Sequence, residues 1–132
     1  MAGTASAREA LGRFGEELAA QHLQTLGMTI LARNWRCRSG ELDIVARDGY
    51  TLVVCEVKTR RGVGFGEPLE SVTPRKAARL RQLAVAWLTE HAATRVDTTE
   101  GTHGYTAVRF DVVAILHRKE DGPTIEYVRG AF

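Results

Sequence analysis

Thiols are scarce in this chain. Its 132 residues include two cysteines, Cys37 and Cys55. Neither lies in a CxxC pair or beside histidines at ligand spacing, which excludes a disulfide framework and a zinc cluster readable from sequence. Long apolar runs are missing too: none reaches the ~18 residues of a membrane span. The N-terminus, Met1 to Arg8, lacks the basic-then-apolar layout of a secretory signal. Charge of one sign is not in excess. Eighteen Lys and Arg against sixteen Asp and Glu leave a formal net charge of +2, which excludes a polybasic binder but leaves room for a local basic face. There is no internal repeat and no low-complexity segment. The expectation is a reduced, cytoplasmic protein that does not enter a membrane.

What is present suits one domain over residues 1–132, long enough to bury a core without a staple. Ser6 with Glu9 three residues on is a capping-box pattern. Leu11, Phe14, Leu18 and His22 then recur at helical spacing, with Ala19, Leu23 and Leu26 beside them and Gly27 as the stop. This predicts a first helix over about residues 7 to 26. Thr29 to Trp35 and Glu41 to Arg47 read as strands, and Asp48-Gly49 as a hairpin turn. Thr51 to Lys58 is apolar on both faces until Glu56, the pattern of a central strand. Gly62 to Pro68 reads as a loop. Thr73-Pro74 caps a second helix with an apolar stripe of Ala77, Leu80, Leu83, Ala84, Trp87 and Leu88. Thr94 to Gly104 reads as a polar loop, followed by strands over Arg109 to Leu116 and Thr124 to Val128. The second helix is long enough to join parallel neighbours, so the expected fold is α/β, a mixed sheet flanked by helices.

The chemistry gathers at the first hairpin. Residues two apart on a strand share a face, so Glu56 goes with Lys58 and Glu41 with Asp43. An Asp48-Gly49 loop sets Glu41 opposite Glu56; a Gly49-Tyr50 loop sets Asp43 opposite Glu56. Either register leaves Asp43 and Glu56 on one face, ~5 to 8 Å apart at Cβ. Two such carboxylates repel, and sheet stability does not ask for them. A divalent cation between them removes the repulsion, and carboxylate, carbonyl and water ligands suit magnesium. The carbonyl of Val57 is a candidate third ligand. Lys58 is placed to orient an attacking water or to hold an anionic transition state. The competing reading is a solvated strand end, the usual fate of a lone Glu-x-Lys.

An Asp on one strand followed by Glu-x-Lys on the next, here Asp43 and Glu56-Val57-Lys58, resembles the PD-(D/E)XK nuclease superfamily. More of the chain is similar to the small, uncharacterised YraN-like proteins, related to archaeal Holliday-junction resolvases. The similar segments are Gly12-Arg13-Phe14-Gly15-Glu16, Gly40-Glu41-Leu42-Asp43-Ile44-Val45-Ala46-Arg47-Asp48-Gly49, Val54-Cys55-Glu56-Val57-Lys58-Thr59-Arg60, Phe65-Gly66 and Arg109-Phe110-Asp111-Val112-Val113. The superfamily's Pro is absent, since Leu42 precedes Asp43. The resemblance implies a restriction-endonuclease-like fold and a magnesium-dependent endonuclease, with manganese as a substitute ion. It implies action on branched or otherwise structured nucleic acid, DNA before RNA, and a homodimer, because two strands must be cut. Asp43 and Glu56 would hold metal and Lys58 would be catalytic. Glu16, on the first helix, is suggested as a further acid, and Glu41 lies on the same acidic face. Asp111 is given a structural role. The alternative is a nucleic-acid-binding protein of the same fold with little or no turnover; a third reading makes the acids incidental to a structural or interaction protein.

A polyanion needs cations. Arg33, Arg36 and Arg38 precede the acidic strand, Arg60 and Arg61 follow Lys58, and Arg75, Lys76, Arg79 and Arg81 crowd the start of the second helix. The last group opposes the helix dipole, which a pure stability argument does not favour. Arg36, Arg38, Arg60, Arg61, Arg75, Lys76 and Arg79 are therefore the expected phosphate contacts, against the plain alternative of solubilising surface charge. Phe65 in the glycine-rich loop is expected to pack there rather than to stack on a base.

Overall fold

The computed structural model describes residues 4–61, 72–91, 96–98, 101–118 and 122–132. In chain order the elements are α1 (Thr4–Thr25), β1 (Thr29–Cys37), β2 (Gly40–Asp48), β3 (Thr51–Arg61), α2 (Pro74–Glu90), β4 (Val96–Thr98), β5 (Gly101–His103), β6 (Ala107–Arg118) and β7 (Gly122–Val128). Five strands form one sheet in the order β1-β2-β3-β6-β7. Neighbours are antiparallel except β3 and β6, which run parallel across the α2 crossover. The result is the mixed α/β architecture expected, consistent with a restriction-endonuclease-like fold. The expected glycine-rich loop with Phe65 lies outside the described residues.

A helix covers each face of the sheet. Ala19, Ala20 and Leu23 of α1 pack on Ile44, Ala46, Val53, Cys55, Val113 and Ile115. Leu80, Leu83, Ala84 and Trp87 of α2 pack on Leu42, Val45, Leu52 and Val54 of the other face. β3 feeds both cores by strand alternation, Val53 and Cys55 to one and Leu52 and Val54 to the other. Burying a side chain such as Leu23 or Leu83 contributes about 1.5–3 kcal/mol each, and this double burial is why β3 is central.

Two sequence expectations are corrected, the start of α1 and the loop over residues 94 to 104, and one open register is resolved. Ser6 lies inside α1 rather than at its N-cap, because the helix begins at Thr4. Ala5 and Ala7 propagate a helix well, so a turn is added ahead of the capping pattern. The face of α1 that meets the sheet is Gly15, Ala19, Ala20 and Leu23, with Leu18 packed beside it, while Phe14 stays 38% exposed. Gly15 allows that approach: a Cβ there would lie 1.8 Å from Thr59 Oγ1. Within the expected polar loop, Val96–Thr98 and Gly101–His103 pair as two short antiparallel strands, β4 and β5. The β2–β3 register is the second of the two considered, with Asp48 opposite Thr51 and Gly49-Tyr50 as the loop. Gly49 takes φ +62°, as the first loop position of a hairpin turn requires. The N-cap of α2 is as expected: the Thr73 hydroxyl accepts the Lys76 N–H at 3.1 Å and Pro74 begins the helix.

Candidate functional site

The register decides where the acids meet. Pairing of β2 with β3 runs to Ile44 opposite Cys55, and Asp43 and Glu56 are the next residue on each strand. The Asp43 carboxylate turns onto β3 itself, its Oδ2 accepting the Val57 N–H at 2.9 Å. Val57 therefore enters the site through its N–H, while its side chain packs on the α1 core. Asp43, Glu56 and Glu41 line one cleft of about 350 Å³, and Thr73, Arg75, Lys76 and Arg79 of the α2 start line it as well. An acidic strand-end and a basic helix start thus face each other across one cavity. Gly40, at φ +146°, leaves a close passage for Leu83 and Arg79 beside it.

Burial first, then the charge of Glu56, pushes the Asp43 carboxyl up to about 7; Glu16 and Glu41 add to the rise, and the Val57 N–H opposes it. Without a cation the pair is electrostatically frustrated, as two carboxylates sharing a site must be. Glu56 is relieved by Lys76, whose Nζ lies 2.7 Å from Oε1. Glu41 is bound by Arg36 at 2.5 Å. Among the described residues, no three His, Cys, Asp or Glu side chains are grouped to cage an ion by themselves. Asp43 and Glu56 are the carboxylates that could hold a magnesium ion, with waters and substrate phosphates completing the shell. Burial pushes the Cys55 thiol well up, so it stays neutral and is no nucleophile.

The remaining expected residues are distributed unevenly. Glu16 does not line the cleft; its Oε2 accepts the Asn34 side-chain N–H at 2.8 Å, while its charge is still felt at Asp43. Lys58 is partly buried and shares the face of Glu56 by alternation, but is not part of the cleft lining. Arg38, Arg60 and Arg61 are exposed beyond the site, and Arg75 and Arg79 are exposed within it. Arg33 is committed to Glu17 at 2.7 Å. Arg81 leaves its cluster to lie over the rings of Phe110 and Phe132. Asp111 is structural, as expected. It is fully buried and accepts from Arg109, from the Tyr127 hydroxyl and from the Gly130 N–H.

Asn34 was missed. It is the one non-glycine residue among those described with a positive φ, +51°. The pairs Arg33–Ile44 and Trp35–Leu42 flank it, which sets it beside Asp43 on the neighbouring strand. Its side chain ties Glu16 of α1 to the acidic end of the sheet. Asn tolerates the left-handed conformation, so an Asn within a strand was the available signal.

Uncharacterised protein family UPF0102 matches residues 15–115. A UPF0102 protein of Frankia casuarinae is 52% identical over 127 residues, covering 96% of this chain and 98% of the relative. One of Frankia alni is 54% identical over 127 residues, with 96% and 97% covered. One of Streptomyces coelicolor is 51% identical over 126 residues, with 95% and 90% covered. The chain belongs to the uncharacterised protein family UPF0102.

Proposed function

We propose that the protein is a metal-dependent nuclease of the PD-(D/E)XK type, related to the Holliday-junction resolvases, that hydrolyses phosphodiester bonds in DNA. The observation that carries this is the cleft itself: Asp43 and Glu56 line it together with Arg75, Lys76 and Arg79, whose charge is of the sign that a phosphate backbone needs. Asp43 and Glu56 would hold the magnesium, which would supply a water of lowered pKa and stabilise charge on the phosphate. Asp43 must be ionised for this, so the site gains competence as pH rises through about 7. Lys58 orients the attacking water or holds the anionic transition state. Arg75 and Arg79 grip flanking phosphates. Asn34 fixes Glu16 as an outer carboxylate that biases Asp43. Cutting both strands of a branched substrate asks for two such sites, and a homodimer supplies them.

A second reading, binding without turnover, draws on one observation: Glu56 is already neutralised by Lys76. Thermal unfolding with and without magnesium or manganese, for the wild type and Asp43→Asn, tests the metal site. A ligand confined to the folded state stabilises it by about 2.7 kcal/mol at a hundredfold excess over its dissociation constant. The expected result is a metal-dependent rise in the wild type that is absent in Asp43→Asn. Indifference of both to metal, with nucleic acid also present, overturns the reading.

A further inference from the structure

Glu56 already has a cation, and the fold holds it there. Lys76 Nζ lies 2.7 Å from Glu56 Oε1, with the lysine side chain 33% exposed and the glutamate 11%. The backbone of Lys76 is pinned as well, since its N–H donates to the Thr73 cap. The lysine is therefore fixed in the first turn of α2, above the cleft floored by Asp43 and Glu56. A cation in a first helical turn opposes the dipole, so helix stability alone does not explain this residue. An ammonium on a flexible four-carbon stem binds a carboxylate or a phosphate equally well, as a point charge.

We propose that Lys76 is a resident counter-cation: it neutralises Glu56 in the resting protein and gives it up to a divalent cation in exchange for a nucleic-acid phosphate. The inference rests on the metal-site reading above. An ammonium and a divalent ion on the same carboxylate repel one another strongly at such separations, so Lys76 swings off Glu56 when the site is loaded. Arg75 and Arg79 line the same cavity, and a phosphate held between them and Lys76 completes the swap. Metal and polyanion then bind in mutual dependence, and each raises the other's affinity by the same factor. Lys76 is a site residue with two successive partners rather than one more surface charge.

Manganese binding is measured by calorimetry, without nucleic acid, for the wild type, Lys76→Met, Lys76→Arg and Arg79→Met. Lys76→Met frees Glu56 and is expected to bind manganese about tenfold tighter, equivalent to about 1.4 kcal/mol. Lys76→Arg is expected to match the wild type. Arg79→Met, which removes a cation from the same cleft without touching Glu56, is expected to gain less than Lys76→Met. A short DNA duplex is expected to raise manganese affinity more in the wild type than in Lys76→Met, and to bind Lys76→Met more weakly. Lys76→Gln takes the place of Lys76→Met should the latter not fold. Equal manganese affinity in wild type and Lys76→Met, or an equal gain in Arg79→Met, overturns the proposal while leaving the metal site standing. Manganese binding by none of the four proteins, with the DNA duplex present as well as without it, overturns the metal site and the proposal with it.

Discussion

Asp43→Asn is expected to stabilise the metal-free protein, by an amount that grows from about pH 4 to about pH 7. Burial and the Glu56 charge raise the Asp43 carboxyl to about 7, from an unfolded value near ~4. A group raised in this way contributes its stability in full below the unfolded pKa. That contribution is lost progressively as pH rises from the unfolded value through about 7, because the unfolded acid is then ionised and folding must either take up a proton or bury the charge. The rise corresponds to about 4 kcal/mol between the two protonation states. Since Asp43 and Glu56 titrate together, roughly 2–4 kcal/mol is the share to expect at Asp43. Asn is isosteric, carries no charge and keeps an oxygen to accept the Val57 N–H. Urea unfolding in a chelator at about pH 5 and about pH 8.5 reads the effect. The variant is expected to gain roughly 2–4 kcal/mol at the higher pH, on the order of 10 °C in melting temperature, and roughly a third of that at the lower. A variant less stable than the wild type at the higher pH, or a difference independent of pH, refutes the reasoning.

Metal affinity is expected to follow the same proton, weakening as pH falls below about 7; calorimetry in buffers of different ionisation enthalpy checks this through proton release. Asp111→Ala leaves Arg109 and Tyr127 without their buried acceptor and is expected to cost about 3–5 kcal/mol in urea unfolding, with manganese binding unchanged per folded molecule. Gly15→Ala drives a methyl into Thr59 and is expected to cost about 1–3 kcal/mol, partly recovered in the double variant with Thr59→Ala. At Asn34 the backbone and the side chain separate: Asn34→Gly keeps the left-handed φ, whereas Asn34→Ala strains it by about 1 kcal/mol or more. Both variants release Glu16 and are expected to lower the apparent pKa that governs metal binding.

How far these features were legible in the chain follows from their range. β3 announced its central place because Leu52 to Cys55 are apolar on both faces, which suits only a strand covered twice. Thr73-Pro74 announced the start of α2 because capping is local chemistry. Asp43 and Glu56 were legible as a pair because strand alternation survives either register. The choice of register was not, since Asp48-Gly49 and Gly49-Tyr50 both supply the glycine that the turn needs. Lys76, Arg79 and Arg81 read alike as basic residues on one helix. Their separation, one onto Glu56, one into the cleft and one over Phe110 and Phe132, depends on how α2 crosses the sheet. Gly15 carries no local signal of its role, since the close approach of Thr59 that requires it is a tertiary fact. Asn34 was hidden for the same reason, because its conformation and its bond to Glu16 join elements distant in sequence.

The central claim is that this cleft cuts nucleic acid. Branched, duplex and single-stranded DNA, and RNA of the same sequences, are incubated with the protein in magnesium, in manganese and in chelator. Asp43→Asn, Glu56→Gln and Lys58→Met are run beside the wild type. The account predicts cleavage of DNA by the wild type that requires metal and falls by at least about a hundredfold in each variant. Substrates left intact by the wild type, or cleavage that survives in the chelator or in Asp43→Asn, contradict it.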